Sequence, residues 1–260
     1  IVDRNNQVIV SNIGFPGSFQ RKSNHIPLYP VVGYTNPRYG QTGIEASMFQ
    51  ILRGYAGTSF ATQLSQNLLF KQPPEGLDVR LTLDLNLQQR SDSLLANSLQ
   101  GEEGGAITLM NAQSGEILVM SSHPYFDAAD LDENWALLIE DPSGPLVNRA
   151  AQGLYPAGPA LLPFMAASEI ELLLNFPNPG DLINITHLPQ TCVFPLSGEF
   201  TWQALITNGC QGALSSLAEL MDSTSLISLF EKLRFYAEPN LNLEVSRAIQ
   251  PPNGSNPQTV

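Results

Sequence analysis

Apolar and polar positions along the chain fall into recognisable periods. Val79-Arg80-Leu81-Thr82-Leu83 alternates with the two-residue period of a half-buried strand, and Val8-Ile9-Val10 is a second β-type run. Ala106–Met110 and Ile117–Met120 form another pair of short apolar runs. Asn111-Ala112-Gln113-Ser114-Gly115 between them has the turn chemistry of a hairpin. Ile44, Met48, Ile51, Leu52 and Tyr55 recur at helical spacing and predict a helix ending near Gly57. Asp84 stands where an N-cap belongs, ahead of a helical run from Leu87 to Leu99. Residues 135–175 read as mostly helical, interrupted at Pro142–Pro145 and Tyr155–Pro159. Residues 176–200 are loop-rich, and helical patterns resume at Trp202–Thr207, Leu214–Met221 and Leu226–Leu233. Gly14-Phe15-Pro16-Gly17 is a turn, and Pro251–Pro257 is a polar tail unable to form a core. Gln72-Pro73-Pro74-Glu75-Gly76 is the best linker, dividing the chain into 1–75 and 76–260. Strand, helix, then antiparallel hairpin is the order of an α+β fold.

Composition narrows the function classes. With 43% apolar and 14% charged residues, the chain is globular. A net charge of −12, with scattered cations, argues against nucleic acid and against an anionic membrane surface as partners. No apolar run reaches the roughly 18–20 residues that span a bilayer. The opening Ile1-Val2-Asp3-Arg4-Asn5-Asn6 looks like an internal cut, with any membrane anchor expected upstream. Cys192 and Cys210, with seventeen residues between them, suit either a disulfide or two buried thiols, and two thiols alone cannot build a zinc site.

Generic chemistry is missing from the sequence. It holds no G-x-S-x-G elbow, no H-E-x-x-H and no phosphate-binding glycine motif. His25, His123 and His187 lie in predicted loops without ligand spacing and read as solvated or hydrogen-bonded surface residues. No cofactor is implied.

Several segments, in order, resemble the class B penicillin-binding proteins, most nearly the short actinobacterial type. They are Ile1–Ile9; Gly33-Tyr34 with Gly40-Gln41-Thr42-Gly43-Ile44-Glu45 and Leu52-Arg53-Gly54; Leu81-Thr82-Leu83-Asp84-Leu85-Asn86-Leu87-Gln88; Gly105-Ala106-Ile107 with Ser114–Asp127; and Pro145–Ala150 with Tyr155-Pro156-Ala157-Gly158. The resemblance implies a β-lactamase-like transpeptidase domain behind a small β-rich pedestal resembling a dimerisation module. It also implies an extracytoplasmic, membrane-anchored protein of peptidoglycan synthesis.

The family's chemistry needs a Ser nucleophile and a Lys three residues later, close enough for the amine to take the hydroxyl proton. At the matching positions stand Pro159 and Leu162. The family's Ser-x-Asn motif matches Gly209 and Gln211, fifty residues beyond Pro159. No Ser-x-x-Lys occurs anywhere, and Ser65-Gln66-Asn67 is the single Ser-x-Asn, on the wrong side of Pro159 in chain order. Lys-Thr-Gly is absent and is expected beyond residue 260, so the sheet is expected to be incomplete, with an exposed edge on the Ala106–Met120 hairpin. The resemblance therefore implies a pseudo-transpeptidase that binds envelope-synthesis proteins or wall peptide, or self-associates through that edge. The rival expectation is an active serine D,D-transpeptidase or carboxypeptidase that binds penicillin covalently.

Overall fold

A computed structural model describes residues 1–260 except 16–17, 58, 60–63, 65–75, 100–103, 185–190, 197, 199 and 251–260. Ser65-Gln66-Asn67, His187, most of the Gln72–Gly76 linker, Pro16-Gly17 and the tail from Pro251 lie outside the described residues. The chain divides into two compact units: Ile1–Gly153 with Asn240–Ser246, and Leu154–Pro239 with Arg247–Val260.

The first unit carries the strands. β1 (Val10–Phe15) and β2 (Ser18–Ser23) pair antiparallel. Then come α1 (Tyr29–Val32), the two-residue strands β3 (Thr35–Asn36) and β4 (Gly40–Gln41), α2 (Gly43–Ser47) and α3 (Phe49–Leu52). The single helix expected over Ile44–Tyr55 is thus two short ones, broken at Met48, whose backbone leaves helical geometry at φ −102°, ψ 15°. The two pieces still turn Ile44, Met48 and Leu52 toward one core, as the period implies. Gly33 explains the tight turn before β3. With φ +79°, a Cβ there would lie 1.9 Å from the Thr42 carbonyl oxygen, so only glycine fits.

Val79–Leu83 is extended but does not form the expected strand. Its hydrogen bonds run to Val2 and Arg4 (Leu81 N–H to Val2 O, Arg4 N–H to Leu83 O, both 2.9 Å). The chain then turns back at Asn6, whose N–H donates to Asp3 O, so no ladder can extend. Val8, likewise expected in a strand, makes only an isolated bridge to Val2, and the strand begins at Val10. Asp3, fully buried, accepts from the N–H groups of Asn5, Gln7 and Leu85.

α4 (Leu85–Ser98) starts where the capping signal placed it. The Asp84 carboxylate accepts from the N–H groups of Asn86 and Leu87. β5 (Gly105–Met110) and β6 (Ile117–His123) form the expected hairpin, with β6 continuing past Met120. α5 (Leu131–Glu140) and α6 (Arg149–Gln152) complete the unit. Its main apolar cluster joins Ile9, Val10, Leu28, Val32, Leu83, Leu85 and Met120, with Leu241 and Leu243 packed against it.

The second unit is helical among its described residues. It contains α7 (Leu162–Ser168), α8 (Ile170–Asn175), α9 (Trp202–Thr207), α10 (Gln211–Leu220) and α11 (Ser223–Lys232). Leu162, Met165, Leu205, Cys210, Ala213, Leu217 and Leu226 form the centre of its core. The α+β class follows from the two units described separately.

Candidate functional site

Tyr155-Pro156-Ala157 is exposed and leads into a 3-10 turn over Gly158–Leu161, after which α7 begins at Leu162. Pro159 lies in this tighter turn, where the Leu162 N–H donates to the Pro159 carbonyl. A proline so near a helix start forfeits no needed donor. The Leu162 side chain is fully buried among apolar neighbours, while Pro159 is half-buried.

The partner segment is shaped by the end of α9. Gly209 N–H donates to Ile206 O and Cys210 N–H to Leu205 O, both at 3.1 Å, and Gly209 takes φ +60°. This is a Schellman ending, whose left-handed position favours glycine. The absence of a hydroxyl at residue 209 thus has a local structural reason. A Cβ built on Gly209 would lie 3.5 Å from Pro159 Cβ and 3.4 Å from Val193 Cγ2, and one on Gly158 would lie 3.7 Å from Gln211 Oε1. Pro159, Gly209 and Gln211 are therefore brought together. Leu162 turns away from them into the core.

One part of this site was not anticipated from sequence. Thr191–Phe194 forms a strap across the α9–α10 turn: Val193 N–H donates to Gly209 O and Phe194 N–H to Asn208 O. A disulfide joins Cys192 to Cys210, resolving the two alternatives left open by the sequence. Thr191 Oγ1 accepts from Gly212 N–H at 2.9 Å, capping α10 in place of Cys210, which makes no side-chain cap. The available signal was the cysteine pair. Closing such a loop stabilises by about 3 kcal/mol in the chain-entropy description. Val193 and Phe194 are 67% and 61% exposed, so the strap presents an apolar outer surface.

The local chemistry is correspondingly poor. Pro and Leu side chains carry no donor or acceptor, and Gly209 has no side chain. Gln211 alone retains hydrogen-bonding groups, on an exposed side chain. Every buried polar or charged side chain among the described residues belongs to the first unit: Asp3, Glu45, Gln88, Ser91, Ser121, Ser122 and Asn148. In the second unit the hydroxyl of Tyr236 is enclosed without a partner and burial pushes its pKa up, but its ring packs against Phe230 of α11.

The other residues singled out by sequence have structural employment. His25 is not a surface group, as was expected: its Nε2 lies 2.6 Å from Asp92 Oδ2, and both side chains are largely buried. His123 ends β6, where a loop was expected, because β6 stays paired as far as Gly105. Arg149 donates its backbone N–H to Ser122 Oγ and its guanidinium to the Gly144 and Ser143 carbonyls, tying down the loop before α6. A cavity of about 410 Å³ lies in the first unit among Arg21, Tyr29, Tyr34, Glu45 and Leu131. Glu45 accepts there from Arg21 Nε at 2.6 Å. Among the described residues no three His, Cys, Asp or Glu side chains gather as a metal site, and no helix is long and apolar enough to cross a membrane.

Comparison with known proteins gives this architecture a family. Residues 1–79 match the family described as "Penicillin binding protein A dimerisation domain". The chain is 33% identical over 141 residues to the peptidoglycan D,D-transpeptidase MrdA of Escherichia coli (strain K12), covering 50% of this chain and 22% of that protein. It is 30% identical over 138 residues to the peptidoglycan D,D-transpeptidase PbpA of Mycolicibacterium smegmatis, covering 50% and 28%. The chain thus matches only about a quarter of the length of these curated relatives. In fold it is similar to the crystal structure of PBPA from Mycobacterium tuberculosis, with TM-score 0.79, 20% identity, and coverage of 99% of this chain and 63% of the other. It is also similar to the D,D-transpeptidase domain of a peptidoglycan glycosyltransferase from Eggerthella lenta, with TM-score 0.70, 23% identity, and coverage of 96% and 56%. The chain is similar, in sequence over half its length and in fold over nearly all of it, to penicillin-binding D,D-transpeptidases, and residues 1–79 match the dimerisation-domain family.

Proposed function

We propose that this chain is a pseudo-transpeptidase: it serves peptidoglycan synthesis by binding envelope-synthesis proteins or wall peptide, without transferring an acyl group. One observation carries the reading. Leu162, which with Pro159 stands where the sequence resemblance implies the family's base and nucleophile, is fully embedded in apolar core. Acyl transfer through a serine requires an activated hydroxyl beside a group that accepts its proton. Removing such a nucleophile or its base costs on the order of a millionfold in rate. Gly209 and Gln211, in the second-motif positions, supply no hydroxyl either.

The apolar strap favours a protein partner over wall peptide, since contiguous exposed apolar surface is characteristic of protein contacts. The disulfide suits an oxidising, extracytoplasmic compartment. The test is capture from detergent-solubilised bacterial membranes on the immobilised chain. Enrichment of identified peptidoglycan-synthesis proteins, reduced by Phe194→Asp, is the expected result. Recovery of no such protein would contradict the proposal.

A further inference from the structure

The cavity of the first unit has a lining of two kinds. Ala128 and Ala129, in a 3-10 turn ahead of α5, and Leu131 supply apolar surface. Arg21 of β2, Tyr29 of α1, Tyr34 just beyond α1 and Glu45 of α2 supply polar groups. Tyr29, Tyr34 and Glu45 are only 3%, 7% and 5% exposed.

Several of these polar atoms are unused. Glu45 accepts from Arg21 Nε at Oε1 (2.6 Å), and nothing among the described residues bonds to its Oε2. Arg21 donates Nη1 to Asn12 Oδ1 (2.9 Å), which leaves Nη2 over. The Tyr34 backbone N–H is spent on Thr42 Oγ1, but the Tyr34 hydroxyl has no partner among the described residues. Of those residues, only Tyr236 has a hydroxyl both enclosed and unpartnered. The free Glu45 oxygen and the Tyr34 hydroxyl therefore reach open space, and for side chains so deeply buried that space is the cavity they line. Buried polar groups left open in this way call for a partner from outside the chain.

Charge narrows the class of that partner. Arg21 and Glu45 already neutralise each other, so a charged ligand of either sign would be desolvated beside a like charge. The Tyr29 hydroxyl shows the local field. Its pKa is pushed up by burial above all, then by the Asp127 and Glu45 carboxylates, against Arg21 and a hydrogen bond with Ser23. An anion is thus the least welcome guest. A neutral hydroxyl is donor and acceptor at once, and so suits a carboxylate oxygen and a guanidinium N–H held side by side. A ring bearing several hydroxyls also carries C–H faces that pack on apolar and aromatic walls. The volume of about 410 Å³ lies within the roughly 300–1,000 Å³ of small-molecule sites.

We propose that this cavity binds a neutral sugar, its hydroxyls on Glu45, Arg21 and Tyr34 and its apolar face against Ala128, Ala129 and Leu131. The site lies wholly in the first unit and does not depend on the chemistry at Pro159 and Leu162.

An NMR titration of the isotope-labelled 260-residue chain tests this, with cellobiose and N,N′-diacetylchitobiose as probes and choline and inorganic phosphate as charged controls. The expected result is saturable shifts of the Tyr34, Glu45 and Ala129 amides with at least one disaccharide and none with either control. Tyr34→Phe deletes a hydroxyl that no described residue uses. It should keep the parent's melting temperature and weaken binding about fivefold, the worth of one neutral hydrogen bond. Ala129→Phe, from a half-buried position, fills the cavity and should abolish binding. Should that variant misfold, Tyr34→Phe still decides. Silence with both disaccharides would overturn the proposal. So would binding of choline or phosphate at these residues, or an affinity for sugar that Tyr34→Phe leaves unchanged.

Discussion

Among its described residues the first unit buries seven polar or charged side chains, among them Asp3, held by three backbone N–H groups, Glu45, held by Arg21, and Gln88, held by Met120, Ser121 and Asp92. The second unit, among its described residues, buries apolar side chains and one half of a disulfide. The difference bears on chemistry because a catalytic amine and hydroxyl are themselves buried polar groups. They persist only where neighbours satisfy them. Among the described residues of the second unit no buried polar side chain could serve as such a neighbour, and Leu162 packs there among apolar side chains. Replacing a polar network by well-packed apolar groups is close to neutral in energy.

The largest expected effect comes from putting the amine back. Leu162→Lys buries a charge among Met165, Ala166 and Leu205, and should cost about 4 kcal/mol or more in denaturant unfolding of the second unit. Pro159→Ser, at a half-buried position, should cost less than about 1 kcal/mol. A tolerated Leu162→Lys would mean that a polar environment exists there and would break the contrast between the units.

Gln88→Leu probes the opposite character of the first unit. It strands the Met120 N–H and carbonyl, and should cost about 3 kcal/mol, read as a lower melting temperature of that unit. A near-neutral result would show that the polar interior is incidental.

The smallest effect belongs to the helix cap. Asp84→Ala should cost about 1 kcal/mol at neutral pH. The Leu87 N–H, above all, holds the Asp84 carboxyl below its ordinary value of 3.8, with Asn5, the Asn86 N–H and Arg4 adding to the effect against desolvation. A lowered folded pKa gives stability that is complete above the unfolded value and fades as pH falls through the folded one. The gap between parent and variant should therefore be constant above about pH 5 and close in acid below 3.8.

The same contrast explains what the sequence could and could not convey. Asp84, the Leu87 helical run and the Ala106–Met120 hairpin were legible because each is decided locally, by a cap, a period or a turn. The break at Met48 was not, since the apolar period continues unbroken through it and a local departure of the backbone leaves no trace in that period. Val79–Leu83 has a strand's alternation but no partner long enough to complete a ladder. His25, in a loop as expected, looked like a surface residue because its partner, Asp92, lies sixty-seven positions away. At the candidate site, the proximity of Pro159 to Gly209–Gln211 followed from motif order. The strap of Thr191–Phe194 did not, because two cysteines announce a bond without saying what the chain between them covers.

Penicillin G forms an acyl-enzyme complex with penicillin-binding protein A of M. tuberculosis, whose fold this chain shares. The most direct measurement is accordingly the intact mass of this chain after prolonged incubation with excess penicillin G. The account predicts the unmodified mass, for the parent and for Pro159→Ser alike. A stable adduct of one penicilloyl group on the parent, mapped by peptide digestion to a single hydroxyl of the second unit, would contradict the account at its centre.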